Sequence, residues 1–325
     1  MRWLPGLSSA ISGSMPAPRS PTPFHCRNCG QPRADRYCAR CGQDSRDHSR
    51  ELKELFRDGI EHLLAFDLKS AQTFWTLMTR PGQLTVDWAE GRRMAWVSPF
   101  RLYLGASFLF YLALWLSGIA LLQIQATPLT PEAVQAAGIQ PHPDGSPIYE
   151  FEPVMLVPPS APIEIPTITR QKLHGFADRA GIDGLATVVE NVLANPGRLN
   201  DAADIWMPRI LFALVPLCAG LFALFQWRRQ RLFLDHLSFA FHLQSFIFVL
   251  SVAMMPIWVR TDDVVSSTIP GLIILGYAAL AHRRVYGNAL WLSGLKVLIV
   301  LSIYLILLVF GLLLVAIADL WHSLG

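Results

Sequence analysis

The hydrophobic pattern of the chain changes near residue 100. Beyond it lie five apolar stretches, at 100–124, 206–227, 237–259, 269–282 with its flanks, and 295–320. Each reads as a membrane-crossing helix, for which about 20 apolar residues suffice. The fourth is the shortest and has Pro270 at its start. Upstream, apolar positions keep helical spacing without forming a spanning run. Leu52, Leu55, Phe56, Ile60, Leu63 and Leu64 share one face, with Arg50, Lys53, Glu54, Arg57, Asp58 and Glu61 elsewhere on the wheel. Ser70 offers an N-cap for a second helix through Leu77, which Arg80-Pro81-Gly82 ends. Phe74, Trp75, Trp88 and Trp96 beside Arg92 and Arg93 have two readings. They form a collar at headgroup height, or they pack on the spans or on a second copy of the chain. Between the first two spans, the proline-dense stretch at 128–166 predicts extended or disordered chain rather than packed helix. Leu185, Val188, Val189, Val192 and Leu193 then predict a short amphipathic helix.

These patterns predict a mainly α, polytopic helical membrane protein with five spans and a small N-terminal zinc ribbon. The divisions are a disordered tail at 1–23, the ribbon at 24–44, and cytosolic or interfacial amphipathic helices at 45–99. The first span at 100–124, an external loop at 125–205, spans two to five at 206–320 and a tail at 321–325 follow. A composition 52% hydrophobic agrees with a membrane body. The segment 4–11 is broken by Pro5, Gly6 and two serines and does not read as a signal peptide. Charge orients the spans. Arg92, Arg93, Arg101, Arg228, Arg229, Arg231, His282, Arg283, Arg284 and Lys296 fall on one side, which is then cytoplasmic. Arg260, Asp262, Asp263 and Asp319 fall on the other, and the 125–205 loop holds ten acids against four bases. The N-terminus is then inside and the C-terminus outside.

The ribbon rests on Cys26-Arg27-Asn28-Cys29-Gly30 and Cys38-Ala39-Arg40-Cys41-Gly42, with eight residues between the pairs. Four thiolates at this spacing predict a closed, structural tetrahedral Zn²⁺ site with Cys26, Cys29, Cys38 and Cys41 as ligands. A redox CxxC needs no second pair and no matching glycines. A disulfide pair would suit an oxidising compartment, whereas thiolate zinc suits a reducing one and agrees with the charge count. Cys218, inside an apolar run, reads as a small buried hydrophobe.

Polar residues within spans are candidates for function. His236 and His242 on the third span and His282 at the end of the fourth gather near the cytoplasmic leaflet with Arg283 and Arg284. His236 and His242 are six residues apart, about 240° around a helix, so one face cannot offer both to one metal. A proton-titrating or anionic-headgroup site is one reading, and interhelical hydrogen bonding is the other. Arg27, Arg33, Arg36 and Arg40 make the ribbon cationic. Nucleic acid is disfavoured, because Tyr37 is the module's sole aromatic between the pairs and offers no stacking platform. A protein partner or the anionic inner leaflet suits the knob better.

The order of signals resembles the bacterial domain-of-unknown-function 3667 family. The resemblance rests on Cys26xxCys29-Gly30, Tyr37-Cys38xxCys41-Gly42-Gln43, Thr76-Leu77, Arg80-Pro81-Gly82, Gly91-Arg92-Arg93, Ser98-Pro99 and Phe100-Arg101-Leu102-Tyr103. Asp235-His236-Leu237, Phe241-His242 and Arg284-Val285-Tyr286-Gly287 extend it more loosely. It implies a bacterial inner-membrane protein and no particular reaction. No nucleophile elbow, phosphate loop or acid–histidine metal motif is present. The expected function is therefore non-enzymatic, a zinc-pinned docking head on a membrane bundle. The alternative is a transporter or lipid-handling protein using His236, His242 and His282.

Overall fold

The computed structural model describes residues 24–33, 35–44, 68–118, 120–140, 145, 147–157, 167–180, 186–187, 190, 198–227, 232–258 and 264–322. The tail at 1–23, the helix expected over 52–64 and the repeat at Leu185, Val188, Val189, Val192 and Leu193 lie outside them, as do Arg228, Arg229 and Arg231.

Two short strands, β1 (Phe24–His25) and β2 (Pro32–Arg33), open the head. Helices α1 (Leu68–Thr79) and α2 (Gln83–Ala89) follow, with Arg80-Pro81-Gly82 breaking the chain between them as expected. Gly82 sits at φ 76°, a turn conformation that glycine adopts without a Cβ penalty. Ser70 lies inside α1 rather than capping it. Helix α3 (Pro99–Ser117) starts on a well-made cap: Ser98 Oγ accepts from Arg101 N and Pro99 takes the first helical position.

The first span is shorter than its expected 100–124. Gly118 ends α3 in the left-handed region, and the next residues form strand β3 (Ala120–Pro128). The strand follows from the local pattern, in which Leu122, Ile124 and Ala126 alternate with Gln123, Gln125 and Thr127, a period of two. β3 pairs antiparallel with β4 (Tyr149–Val157), with Ile124 opposite Pro153 and Ala126 opposite Phe151. Part of the proline-dense stretch is thus a strand. Pro153 is tolerated there because a two-stranded ladder leaves each strand an outer edge. The stretch also holds α4 (Pro131–Ala136), where Thr130 accepts from Ala133 N, and it leads into α5 (Thr167–Ala180). Within the described residues of 128–166, β4 is extended as expected, and only α4 departs from that expectation.

The bundle is built from α3, α6 (Arg198–Phe225), α7 (Phe233–Trp258), α8 (Val264–Tyr286) and α9 (Leu290–His322). Among the described residues, four helices are long and apolar enough to cross a membrane: Pro99–Ser117, Ile205–Phe225, Phe233–Ile257 and Leu290–Val315. The fourth expected stretch, in α8, is not among them. α8 has the length, 23 residues, but Ser266, Ser267 and Thr268 near its start and His282, Arg283 and Arg284 near its end shorten its apolar centre. It still runs antiparallel along α7, since Tyr277 stacks on Phe246 and Tyr286 on His236.

Helix α7 is the hub, packed against α3, α6, α8 and α2, while α9 closes the ring between α6 and α8. Aromatic contacts tie α3 to α7: Phe100 with Phe241 at 5.5 Å and Phe110 with Phe248 at 5.1 Å between ring centroids. Phe222 meets Phe239 edge-on at 4.9 Å, joining α6 to α7. Exposed tryptophans mark both ends of the bundle, Trp227 and Trp291 at one and Trp115 and Trp206 at the other. That placement is the aromatic girdle expected of a membrane protein.

Candidate metal centre and its seat on the bundle

The head is one knuckle used twice. In the first, Gly30 N donates to Cys26 O at 2.8 Å and Cys26 N to Gln31 O at 2.9 Å. In the second, Gly42 N donates to Cys38 O at 2.8 Å and Cys38 N to Gln43 O at 3.0 Å. Gly30 and Gly42 have φ 72° and 73°, so the glycine after each second cysteine turns the chain as its position in the motif implied.

The two knuckles bring four free thiols together, all four sulfurs lying within 4.8 Å of one another. Cys26 Sγ and Cys41 Sγ are 3.5 Å apart, as are Cys29 Sγ and Cys38 Sγ. Sulfurs about 2.3 Å from a tetrahedral centre stand about 3.8 Å from one another, so this set can hold a metal ion. Backbone N–H groups of Cys41 and Arg40 hold the Cys38 thiol down, at about 6. The Gln31 N–H pulls Cys29 the same way, but burial and the three neighbouring sulfurs carry it up to about 11. A crowd of sulfurs cannot all ionise without a cation among them.

The head is seated on the loop between α2 and α3. Gln43 Nε2 donates to Gly91 O at 2.6 Å. A Cβ on Gly91, which has φ 84°, would come within 3.1 Å of Arg27 Cδ. The loop is itself pinned by Asp87, a buried carboxylate on α2. Asp87 accepts from Gln83 Nε2 at 2.7 Å, from Trp96 Nε1 at 2.9 Å and from the Arg92 guanidinium. Arg93 lies over the Trp88 ring at 5.2 Å. Of the expected collar, Trp88 and Trp96 therefore pack on the bundle, while Phe74 and Trp75 stay exposed.

The three histidines part company. His236 Nδ1 shares a hydrogen bond with Tyr286 Oη at 2.8 Å, and the His282 ring lies 4.6 Å from the same tyrosine ring. His282 Nε2 and Gln226 Nε2 are 3.0 Å apart, and Lys296 Nζ donates to Phe225 O at 3.1 Å. The ends of α6 and α8 and the starts of α7 and α9 thus meet in one buried polar junction. His242 faces elsewhere, as its 240° offset requires, and bonds Thr85 Oγ1 of α2 at 2.9 Å. Arg283 and Arg284 point outward, and Arg284 Nη1 donates to Pro81 O at 2.8 Å. Gln244 Oε1 accepts from Tyr304 Oη at 3.1 Å, and Ser245 donates to Phe241 O.

Residues 68–111 match the family model described as Protein of unknown function (DUF3667). The resemblance holds over this block. It covers α1, α2, the Asp87-pinned loop and most of α3. The four-cysteine head and the later blocks around His236 and Tyr286 lie outside the DUF3667 match. No curated protein and no solved structure matches the chain. Asp87, Thr85 and Gln226 carry no motif in the sequence, whereas Lys296 entered only through the charge count and Tyr286 only through the resemblance. A lone acid, threonine or tyrosine has no spacing signal until the helices are assembled.

Proposed function

We propose that the chain is a non-enzymatic, multi-pass protein of the bacterial inner membrane whose cytoplasmic head holds one structural Zn²⁺ and docks a protein partner. The closed four-sulfur donor set carries this reading, because a metal bound by four protein thiolates has no position left for water or substrate. Thiolate ligands favour zinc over hard cations. The head's free side is cationic and aromatic: Arg40 and Tyr37 are exposed, and Arg36 lies over the Tyr37 ring while bonding Asp44. Such a surface suits an acidic partner. In this reading the head is inside and α9 ends outside, since α8 runs back along α7 before α9 begins.

The test is metal analysis and partner capture on the full chain in native membranes. One zinc per chain and a defined cross-linked partner are expected from the wild type, and neither from Cys38→Ser. Equal zinc content in the variant would overturn the closed site, and an unchanged partner would overturn docking. A second reading, transport or lipid handling, is favoured by one observation: His282 Nδ1 and Ser293 Oγ are buried without partners at or near the polar junction. It requires the reverse sensitivity, with His236→Ala and His282→Ala abolishing the biological effect and Cys38→Ser sparing it.

A further inference from the structure

The α1–α2 hairpin is bonded to the bundle well inside its helices rather than at their ends. Thr85 meets His242, nine residues or about 14 Å along α7 from its start at Phe233. Tyr277 Oη donates to Leu77 O at 2.7 Å, and Tyr277 lies nine residues, about 14 Å, from the same end of the bundle along α8. The turn between the two helices presses on α8, where a Cβ on Gly82 would come within 2.7 Å of Ala281 O. These heights fall within α7, a helix long and apolar enough to cross the membrane.

The turn itself lies nearer the end of the bundle, beside Ala281 and Arg284, five and two residues before the end of α8. A helix break there needs protein partners for the backbone groups it frees. The turn has them. Thr76 O accepts from Arg80 N, Leu77 O from Tyr277 and Pro81 O from Arg284. The inward face is equally satisfied: Thr73 Oγ1 donates to Lys69 O and accepts from Val97 N. The outward face carries Phe74 and Trp75, the latter 69% exposed. No charged residue lies between Lys69 and Arg80, whose long side chains reach back toward water. At the same height α8 exposes Leu280 and Ile273, so the apolar surface continues from the hairpin onto the bundle.

We propose that α1–α2 is a hairpin laid in the head-side leaflet beside the start of the first span, with Phe74 and Trp75 against lipid acyl chains. The proposal rests on the bundle geometry and is independent of the metal in the head. The experiment is site-directed spin labelling of Trp75→Cys in the full, metal-loaded chain with Cys218→Ala, reconstituted in phosphatidylcholine–phosphatidylglycerol vesicles. Relaxation by oxygen, which concentrates among acyl chains, is compared with relaxation by a water-soluble nickel chelate. Oxygen is expected to act several-fold more strongly at 75, as at Ile306→Cys on the exposed face of α9, with the opposite ratio at Ala95→Cys in the α2–α3 loop. A dominant nickel effect would place position 75 in water. Weak relaxation by both would place it against protein, a second copy included. Either overturns the proposal, and Phe74→Cys read in parallel guards against a misfolded variant deciding the matter.

Discussion

A buried carboxylate must recover through hydrogen bonds what it loses on leaving water. Asp87 does so through Gln83, Arg92 and Trp96, on both sides of the loop that receives the head. Asp87→Ala leaves three donors without their acceptor and is expected to cost about 2–3 kcal/mol, discounted because Arg92 is partly solvated. Thermal unfolding in detergent reads this, and an unchanged midpoint would show that the three contacts are incidental. The thiols make a prediction of another kind. Metal ligands must be deprotonated, so binding releases protons and lower pH opposes it. With Cys38 held at about 6, that thiol is already ionised at pH 7.5, whereas Cys29 at about 11 must give its proton up. Calorimetry in buffers of different ionisation enthalpy should therefore count fewer than four protons released per zinc. The cysteines were legible in sequence because a short motif contains its whole geometry. Asp87 was not, because its partners lie four, five and nine residues away, on α2 and in the loop that follows it.

At the scale of elements, the helices that could be read were those whose signals are local. Ser98-Pro99 starts α3 and Arg80-Pro81-Gly82 ends α1, as capping and breaking chemistry require. The strands were missed because the apolar run of α3 continues past Gly118 in composition while its period changes from helical to alternating. A window tuned to hydrophobicity does not see that change. The depth of the α1–α2 hairpin was illegible for another reason: amphipathic helices look alike on a bundle's flank and at its foot. Gly82 tests how tightly the hairpin is held. Alanine there meets both an unfavourable φ and the backbone of Ala281, with Cβ 2.7 Å from the carbonyl oxygen and 3.0 Å from Cα. Neither obstacle can rotate away. Gly82→Ala is expected to cost about 2–4 kcal/mol from the left-handed conformation and overpacking together. Alanine at Gly118, also in the left-handed region but with nothing within 4 Å, should cost only the conformational part. Equal losses at the two positions in the same unfolding assay would mean that the hairpin is not pressed on α8.

For the whole molecule, the contacts form a continuous route from the head to the centre of the bundle. Cys38 and Cys41 fix the second knuckle, whose next residue, Gln43, bonds Gly91. Gly91 belongs to the loop that Asp87 ties to α2, and α2 carries Thr85 to His242 at the hub helix. Each link is a hydrogen bond or a close packing contact with its partner named, so loss of the metal has a defined way to be felt in the bundle. Removing the bound metal with a chelator is expected to raise amide hydrogen exchange first at 24–44, then in the 90–98 loop and α2, while the middle of α9 keeps its protection. The order matters more than the extent. Gly91→Val should reproduce the loosening of the loop with the metal still bound, because a branched side chain at φ 84° pushes against the Arg27 side chain. If chelation raises exchange in the head alone, the metal stabilises only its own knuckles and the route is passive packing. If chelation and Gly91→Val loosen the same segment to a similar degree, the head is a clamp on the helix that reaches the hub.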